Sequence, residues 1–181
     1  MTGLWPPTTR VIPDSAAMHT LGIELAGILR AGDLVVLNGP LGAGKTTLTR
    51  GIGDGLQVRG PVTSPTFVLA RTHPSLVGGA PLVHVDAYRL SSALELDDLD
   101  IDFARSIVVV EWGSGMLDGV AESWLDIDIV RPTGGSEQAP LPADDDPAED
   151  EDIEDADRDD ALDAEEPRRV TVTGYGPRWL A

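Results

Sequence analysis

Cysteine is absent from this 181-residue chain, and so are long apolar runs. The lack of cysteine excludes a disulfide framework, a thiol nucleophile and a zinc site built on cysteine. No apolar run approaches the ~20 residues that span a bilayer. Residues 1–7 lack the basic and long apolar segments of a signal peptide. We therefore expect a soluble, cytoplasmic protein that does not act at a membrane.

Basic residues are scarce, because 13 lysines and arginines face 31 acidic residues and give a formal net charge of −18. Residues 144–166 hold fifteen acids and one arginine, so they contribute −14 and leave −4 for the rest of the chain. That remainder neither implies nor excludes a nucleic-acid partner.

The same acidic region is poor in large apolar residues. Asp, Glu, Pro and Ala dominate residues 133–166, and this composition buries too little apolar surface to offset its ordering entropy. We predict a disordered acidic loop insertion over residues 133–166. The functional alternative is an acidic tether that binds a basic partner or mimics nucleic acid.

A phosphate-binding P-loop pattern is present at residues 39–46, which read Gly-Pro-Leu-Gly-Ala-Gly-Lys-Thr. Its glycines let backbone N–H groups point at phosphates, Lys45 reaches the β and γ oxygens, and the Thr46 hydroxyl can ligate Mg²⁺. A buried-strand pattern at residues 33–37 precedes the motif and a helix pattern at 47–52 follows it. The predicted nucleotide-binding residues of the loop are Gly39, Leu41, Gly42, Ala43, Gly44, Lys45, Thr46 and Thr47.

The remaining patterns predict an α/β fold. Apolar residues recur at helical spacing from Met18 to Leu29, after a cap at Asp14 or Ser15. Residues 106–110 have the composition of a fully buried strand, because β-branched residues without alternation suit a sheet that is covered on both faces.

The C-terminal third adds two alternating segments, residues 124–130 and 169–173, which we expect to pair as an antiparallel hairpin. Residues 93–105 are expected to be helical. We predict one P-loop NTPase-like α/β domain over residues 1–181, with a mixed, mostly parallel central sheet flanked by helices. The acidic insertion interrupts its C-terminal antiparallel hairpin.

Two carboxylates follow strand-like runs. Asp86 comes after residues 82–85 and Glu111 after residues 107–110, so both would project from strand carboxyl ends, where α/β folds bind ligands. P-loop hydrolysis needs such a carboxylate to hold Mg²⁺ or its water, and a group that orients the attacking water. Either residue fits the first role, and the alternative for each is a helix cap or an arginine partner.

Three further side chains are candidates for the site. Thr66 lies in a Ser-Pro-Thr stretch where P-loop proteins often carry a switch loop. Trp112 can stack on a base or anchor the core, and His84 fits a core histidine better than a general base. The guanine-reading Asn-Lys-x-Asp motif is absent, which favours ATP as the nucleotide.

Four motifs occur in a set order: the extended P-loop at residues 39–47, Ser-Pro-Thr-Phe at 64–67, His-Val-Asp-Ala-Tyr-Arg at 84–89 and Val-Glu-Trp at 110–112. In these motifs, and over roughly residues 8–131 and the final strand, the chain resembles the TsaE (YjeE) family. That family comprises small bacterial P-loop ATPases required for making threonylcarbamoyladenosine beside the anticodon of tRNA.

The resemblance implies roles for the site residues. Lys45 and Thr46 would bind phosphate and Mg²⁺, and Asp86 and Glu111 would serve the metal and the hydrolytic water. Trp112 would neighbour the base of ATP. The implied metal residues are Thr46, Asp86 and Glu111, and the implied catalytic residues are Lys45, Asp86, Glu111 and Thr66, the last in a switch-like loop.

The resemblance also implies partners. The ATPase would be slow alone and would act on a complex of TsaB and TsaD, of which TsaD transfers the threonylcarbamoyl group to tRNA. Contact with tRNA would be indirect, through that complex. Two alternatives are a P-loop kinase for a small hydroxyl acceptor, although no arginine-rich lid is evident, and a nucleotide-sensing interaction module without catalysis.

Overall fold

The computed structural model describes residues 5–65, 68–88, 90, 95, 99–113, 121–131 and 166–179. In chain order its elements are β1 (Trp5–Ile12), α1 (Ser15–Ala26), β2 (Leu34–Asn38), α2 (Lys45–Gly55), β3 (Ala70–His73), β4 (Leu82–Asp86), β5 (Ile107–Glu111), β6 (Trp124–Val130) and β7 (Arg168–Tyr175), followed by a 3-10 turn at Pro177–Trp179. Within these ranges, neither helix has the length and apolar character needed to cross a membrane.

The seven strands form one sheet in the order β1-β7-β6-β2-β5-β4-β3. Strands β6, β2, β5 and β4 are parallel neighbours, whereas β7 and β3 run in the opposite direction and β1 is antiparallel to β7. Five of the seven strands therefore point the same way, which confirms the predicted mixed, mostly parallel sheet. The carboxyl ends of the central strands and the start of β7 meet at one edge, where ligand sites form in such sheets.

Each helix begins in a way that its sequence explains. The Asp14 carboxylate accepts a hydrogen bond from the Ala17 backbone N–H at 2.7 Å, so it caps α1 as predicted. The cap residue of α2 is Gly44, which offers no side chain to the first N–H groups of that helix. These groups are therefore available to an anion at the P-loop.

Helices α1 and α2 cross at very short distance because glycine occupies the crossing point. A Cβ atom on Gly51 would lie 2.1 Å from the His19 carbonyl oxygen, and one on Gly22 would lie 2.4 Å from that of Leu48. Both distances are far below van der Waals contact. The close crossing fixes α2, and with it the P-loop that precedes α2.

Apolar residues pack on both faces of the sheet. On one face, α1 and α2 cover Val35, Leu37, Val109 and Leu125. On the other face, Val36, Val108 and Val110 pack under the loop residues Leu99, Ile101 and Phe103. In the described part of the chain the two helices that flank the sheet therefore lie on the same face of it.

Three sequence predictions have a direct outcome here. The hairpin of residues 124–130 and 169–173 is confirmed as antiparallel β6 and β7. The predicted helix at 93–105 is wrong for residues 99–105, which form turns, because Leu99, Ile101 and Phe103 face the core at a spacing of two. The predicted insertion lies outside the described residues, except for its last residue, Glu166.

Candidate functional site

A cavity of about 390 Å³ lies at the carboxyl edge of the sheet. Six parts of the chain line it: the start of α1, the P-loop with the start of α2, Ser64 in the loop before β3, the end of β4, the end of β5 and the start of β7. The volume falls in the range of small-molecule and nucleotide pockets. The fold therefore concentrates most of the predicted site residues in one concave surface.

The P-loop keeps its shape through backbone conformations that favour glycine. Gly39 has φ of 151°, Gly42 of 72° and Gly44 of 105°, all in the left-handed half of the map. A Cβ atom on Gly39 would also lie 2.6 Å from the Ile129 carbonyl oxygen of β6. Glycine is thus required at residue 39 for close contact between the loop and the neighbouring strand.

Lys45 is held inside this loop. Its Nζ donates hydrogen bonds to the carbonyl oxygens of Gly39 at 2.9 Å and Pro40 at 3.0 Å, and it lies 3.8 Å from the ring centroid of Trp112. Burial lowers the pKa of Lys45, while the nearby charges of Glu111 and Asp86 partly oppose that shift. A phosphate group would offer this buried ammonium a stronger acceptor than a neutral carbonyl.

The two predicted carboxylates are direct neighbours. Asp86 and Glu111 end β4 and β5 and form a register pair in the parallel ladder. Glu111 Oε1 accepts a hydrogen bond from the Thr46 hydroxyl at 3.2 Å and lies 2.7 Å from His84 Nε2. The Asp86 Oδ1 atom accepts the backbone N–H of Tyr88 at 2.9 Å. Glu111 is therefore the carboxylate in direct contact with the P-loop hydroxyl.

This donor set fits a magnesium ion that arrives with phosphate. Thr46, Asp86 and Glu111 offer oxygen atoms, which Mg²⁺ prefers, and Mg²⁺ is usually held by one or two carboxylates together with substrate phosphates and water. In the parts of the chain that the structure describes, no group of three or more His, Cys, Asp or Glu side chains could hold a metal ion. A nucleotide phosphate would supply the missing ligands.

Trp112 lies against Lys45, near the carboxyl end of the P-loop. Its backbone has φ of 63°, a left-handed conformation that is rare for a bulky residue. Its ring packs on Lys45 and meets the Tyr88 ring edge-on, with centroids 5.5 Å apart. Contact of Trp112 with a nucleotide base remains a prediction.

The other predicted residues fall in different surroundings. Leu41 projects from the loop and is 73% exposed, whereas Ala43 and Thr47 are buried. Thr66, the predicted switch residue, lies outside the described residues. Its role stays a prediction.

Two features of the site were missed by sequence reasoning. His84 is fully buried, as expected for a core histidine, but its contact with Glu111 was not predicted. Arg168 and Glu166 line the cavity from the start of β7. The antiparallel hairpin was the available signal, because it returns the start of β7 to the edge where the P-loop lies.

Comparison with known proteins places these features in context. Residues 12–138 match the family described as "Threonylcarbamoyl adenosine biosynthesis protein TsaE". The "tRNA threonylcarbamoyladenosine biosynthesis protein TsaE" of Streptomyces coelicolor is 52% identical over 165 residues, which cover 90% of this chain and 93% of that protein. The protein of the same description from Mycobacterium tuberculosis (strain H37Rv) is 46% identical over 138 residues, covering 71% and 82%.

A solved structure shares the fold. The structure described as "Crystal structure of Bacillus subtilus YdiB" aligns with a TM-score of 0.66 and covers 98% of this chain and 92% of that one. Its sequence identity is 23%. This similarity supports the P-loop-like fold of the chain.

Proposed function

Since the chain belongs to the TsaE family of threonylcarbamoyl adenosine biosynthesis proteins, we propose that it is the ATP-binding and ATP-hydrolysing subunit of a tRNA modification machinery. The observation that carries the proposal is the contact of Glu111 with both Thr46 and His84, beside Lys45 in one cavity. A phosphate-binding loop and an oriented carboxylate are the two parts that P-loop hydrolysis requires.

The loop and its lysine would bind the phosphates. The N–H groups at the start of α2, which have no side-chain cap, would donate to the anion. Lys45 would exchange its bonds to the Gly39 and Pro40 carbonyls for bonds to phosphate oxygens, which are charged and therefore stronger acceptors. Magnesium, bound with the nucleotide, would neutralise the charge that develops on the leaving phosphate oxygens. We propose that Thr46, Asp86 and Glu111 hold the ion, either directly or through its bound water.

The carboxylates would position the attacking water. In the described structure Glu111 is oriented by His84, whose ring is fully buried. Such a fixed carboxylate can accept a hydrogen bond from water and hold that water in line with the γ-phosphate. Thr66 is the proposed switch residue that would respond to that phosphate.

We further propose that hydrolysis is slow without partners and supports turnover of a TsaB–TsaD complex. ATP hydrolysis would reset that complex after it has transferred a threonylcarbamoyl group to tRNA. The tRNA would contact this chain only through the complex.

Steady-state phosphate release tests the proposal. The wild type, Lys45→Ala and Glu111→Gln would each be measured with Mg²⁺ATP, with and without purified TsaB and TsaD homologues and tRNA. We expect partners to raise the wild-type rate and both variants to lose most of it. A rate that partners do not change would contradict the proposal, and phosphate transfer to a small hydroxyl acceptor would instead support a kinase.

A further inference from the structure

Arg168 places a second buried cation beside the P-loop. Arg168 is the first residue of β7, and its side chain lines the cavity and is only 6% exposed. Its Nη2 lies 3.5 Å from the Gly42 carbonyl oxygen in the loop. Among the described residues that line the cavity, Lys45 and Arg168 are the two cations.

A carboxylate next to the cavity holds this guanidinium. Glu166 Oε2 accepts a hydrogen bond from Arg168 Nη1 at 3.2 Å, and the Glu166 backbone carbonyl accepts another from the same nitrogen. Arg131, at the end of β6, reaches the same Glu166 oxygen at 3.2 Å. Glu166 is 41% exposed, and both Glu166 and Arg168 line the cavity, so an anion in the cavity can compete with Glu166 for the guanidinium.

The order of strands fixes which end of a nucleotide Arg168 would meet. The P-loop follows β2, and the hydrolytic carboxylates end β5 and β4 on one side of it. Arg168 begins β7, two strands from β2 on the other side. With the γ-phosphate near Glu111 and Asp86, as proposed above, the nucleoside end of the phosphate chain would extend toward Arg168 and away from Trp112. The inference therefore replaces the predicted contact of Trp112 with the base.

We propose that Arg168 binds the α-phosphate of the nucleotide, with Glu166 as the counter-ion that keeps the guanidinium in place before the nucleotide arrives. This inference rests on the proposed function, since it assumes that a nucleoside triphosphate occupies the cavity. A planar guanidinium matches two phosphate oxygens at once, which a lysine ammonium cannot do. The α-phosphate is common to ATP and ADP, so Arg168 sets the affinity for both nucleotides and does not act on the hydrolytic step.

Arg169 supplies a matched control. It is the next residue of β7 and has the same chemistry, but it is exposed on the opposite side of the strand. Each variant removes one positive charge, so the overall charge changes equally. A difference in nucleotide affinity between the two variants therefore reports a local contact of Arg168.

The experiment measures equilibrium binding of Mg²⁺ATP and Mg²⁺ADP to the full chain by calorimetry, for the wild type, Arg168→Met, Arg169→Met and Lys45→Ala. We expect Arg168→Met to weaken ATP and ADP by similar factors, on the order of tenfold to a hundredfold, as for a lost charge-assisted hydrogen-bond pair. Arg169→Met should stay within about twofold of wild type, since exposed charges contribute little. In the hydrolysis assay, Arg168→Met should raise KM and leave kcat unchanged.

Arg168→Lys guards against a folding defect. It keeps the charge and the aliphatic stem and should bind both nucleotides with intermediate affinity. Wild-type affinity for both nucleotides in Arg168→Met, or a loss of affinity confined to ATP, would overturn the inference. Lys45→Ala tests separately whether the P-loop binds the nucleotide. A wild-type chain that binds neither nucleotide would instead refute the proposed function, and the inference with it.

Discussion

Asp126 offers the sharpest test of what stabilises the fold, because its surroundings disfavour the charged form of its carboxyl group. It lies on β6, beside Val36 of β2. Burial, and then the negative charge of Asp128, raise the pKa of Asp126 from 3.8 to about 6, although a hydrogen bond from Asn38 Nδ2 at 2.8 Å opposes the shift. Among the described residues, Asn38 Oδ1 is buried without a hydrogen-bond partner. A neutral group at residue 126 would relieve both problems.

The sign of the pH dependence follows from this shift. Between the unfolded pKa of 3.8 and the folded pKa of about 6, the folded state binds more protons than the unfolded state. The free energy of unfolding therefore falls as the pH rises through this window. A shift of about 2 pKa units corresponds to at most about 3 kcal/mol, and solvent screening of this partly buried group reduces our expectation to about 1–2 kcal/mol at neutral pH.

We predict that Asp126→Asn stabilises the fold. The amide still accepts the hydrogen bond from Asn38, carries no charge and can donate to Asn38 Oδ1. Above pH 7 the free energy of unfolding should rise by about 1–2 kcal/mol, and Tm by about 3–6 °C. The gain should shrink as the pH falls from about 6 toward 3.8 and disappear below about pH 3, where Asp126 is protonated in both states.

Urea unfolding and thermal melting at pH 4 and pH 7.5 check this prediction. Asp128→Asn is the matched control: it removes only the second cause of the shift from an exposed position, so its gain should be smaller. An equal gain for Asp126→Asn at both pH values, or no gain at pH 7.5, would refute the reasoning.

Three further changes test other parts of the account. Gly51→Ala should lower Tm by more than about 5 °C, because the added Cβ would lie 2.1 Å from the His19 carbonyl oxygen. The control Gly27→Ala should change Tm little, because its Cβ would lie 3.3 Å from the Glu24 carbonyl oxygen. Equal Tm values for the two variants would contradict the close helix crossing. His84→Asn should slow hydrolysis by about ten- to a hundredfold in the steady-state assay and leave the Kd for ATP within about threefold, since the lost contact orients Glu111. A large loss of ATP affinity with a normal kcat would show that His84 supports binding and does not orient the hydrolytic carboxylate. Removal of residues 136–165 should shift Tm by less than about 3 °C, because a long loop that closes a hairpin costs little more than a short one; a large loss of Tm would show that the segment is part of the packed fold.

The sequence predicted those features that depend on local pattern. The P-loop, its flanking strand and helix, and the position of Asp86 and Glu111 at strand ends all follow from residue type and spacing along a few neighbouring residues. The hairpin of β6 and β7 follows from alternation in the same way.

The features that the sequence did not predict depend on contacts between distant segments. The bond between His84 and Glu111 joins residues 27 positions apart, and the approach of Arg168 to Gly42 spans 126 positions. Residues 99–105 look helical by composition, but packing on the outer face of the sheet selects turns. In each case tertiary packing decided what local pattern left open.

The most direct test of the central claim is the yield of threonylcarbamoyladenosine in a reconstituted reaction that contains TsaB and TsaD homologues, tRNA, a threonylcarbamoyl donor and Mg²⁺ATP. We predict that the wild-type chain supports many modified tRNA molecules per TsaB–TsaD complex. With Lys45→Ala the yield should stop near one per complex, because the complex is not reset. Multiple turnover with Lys45→Ala equal to that with wild type would contradict the account.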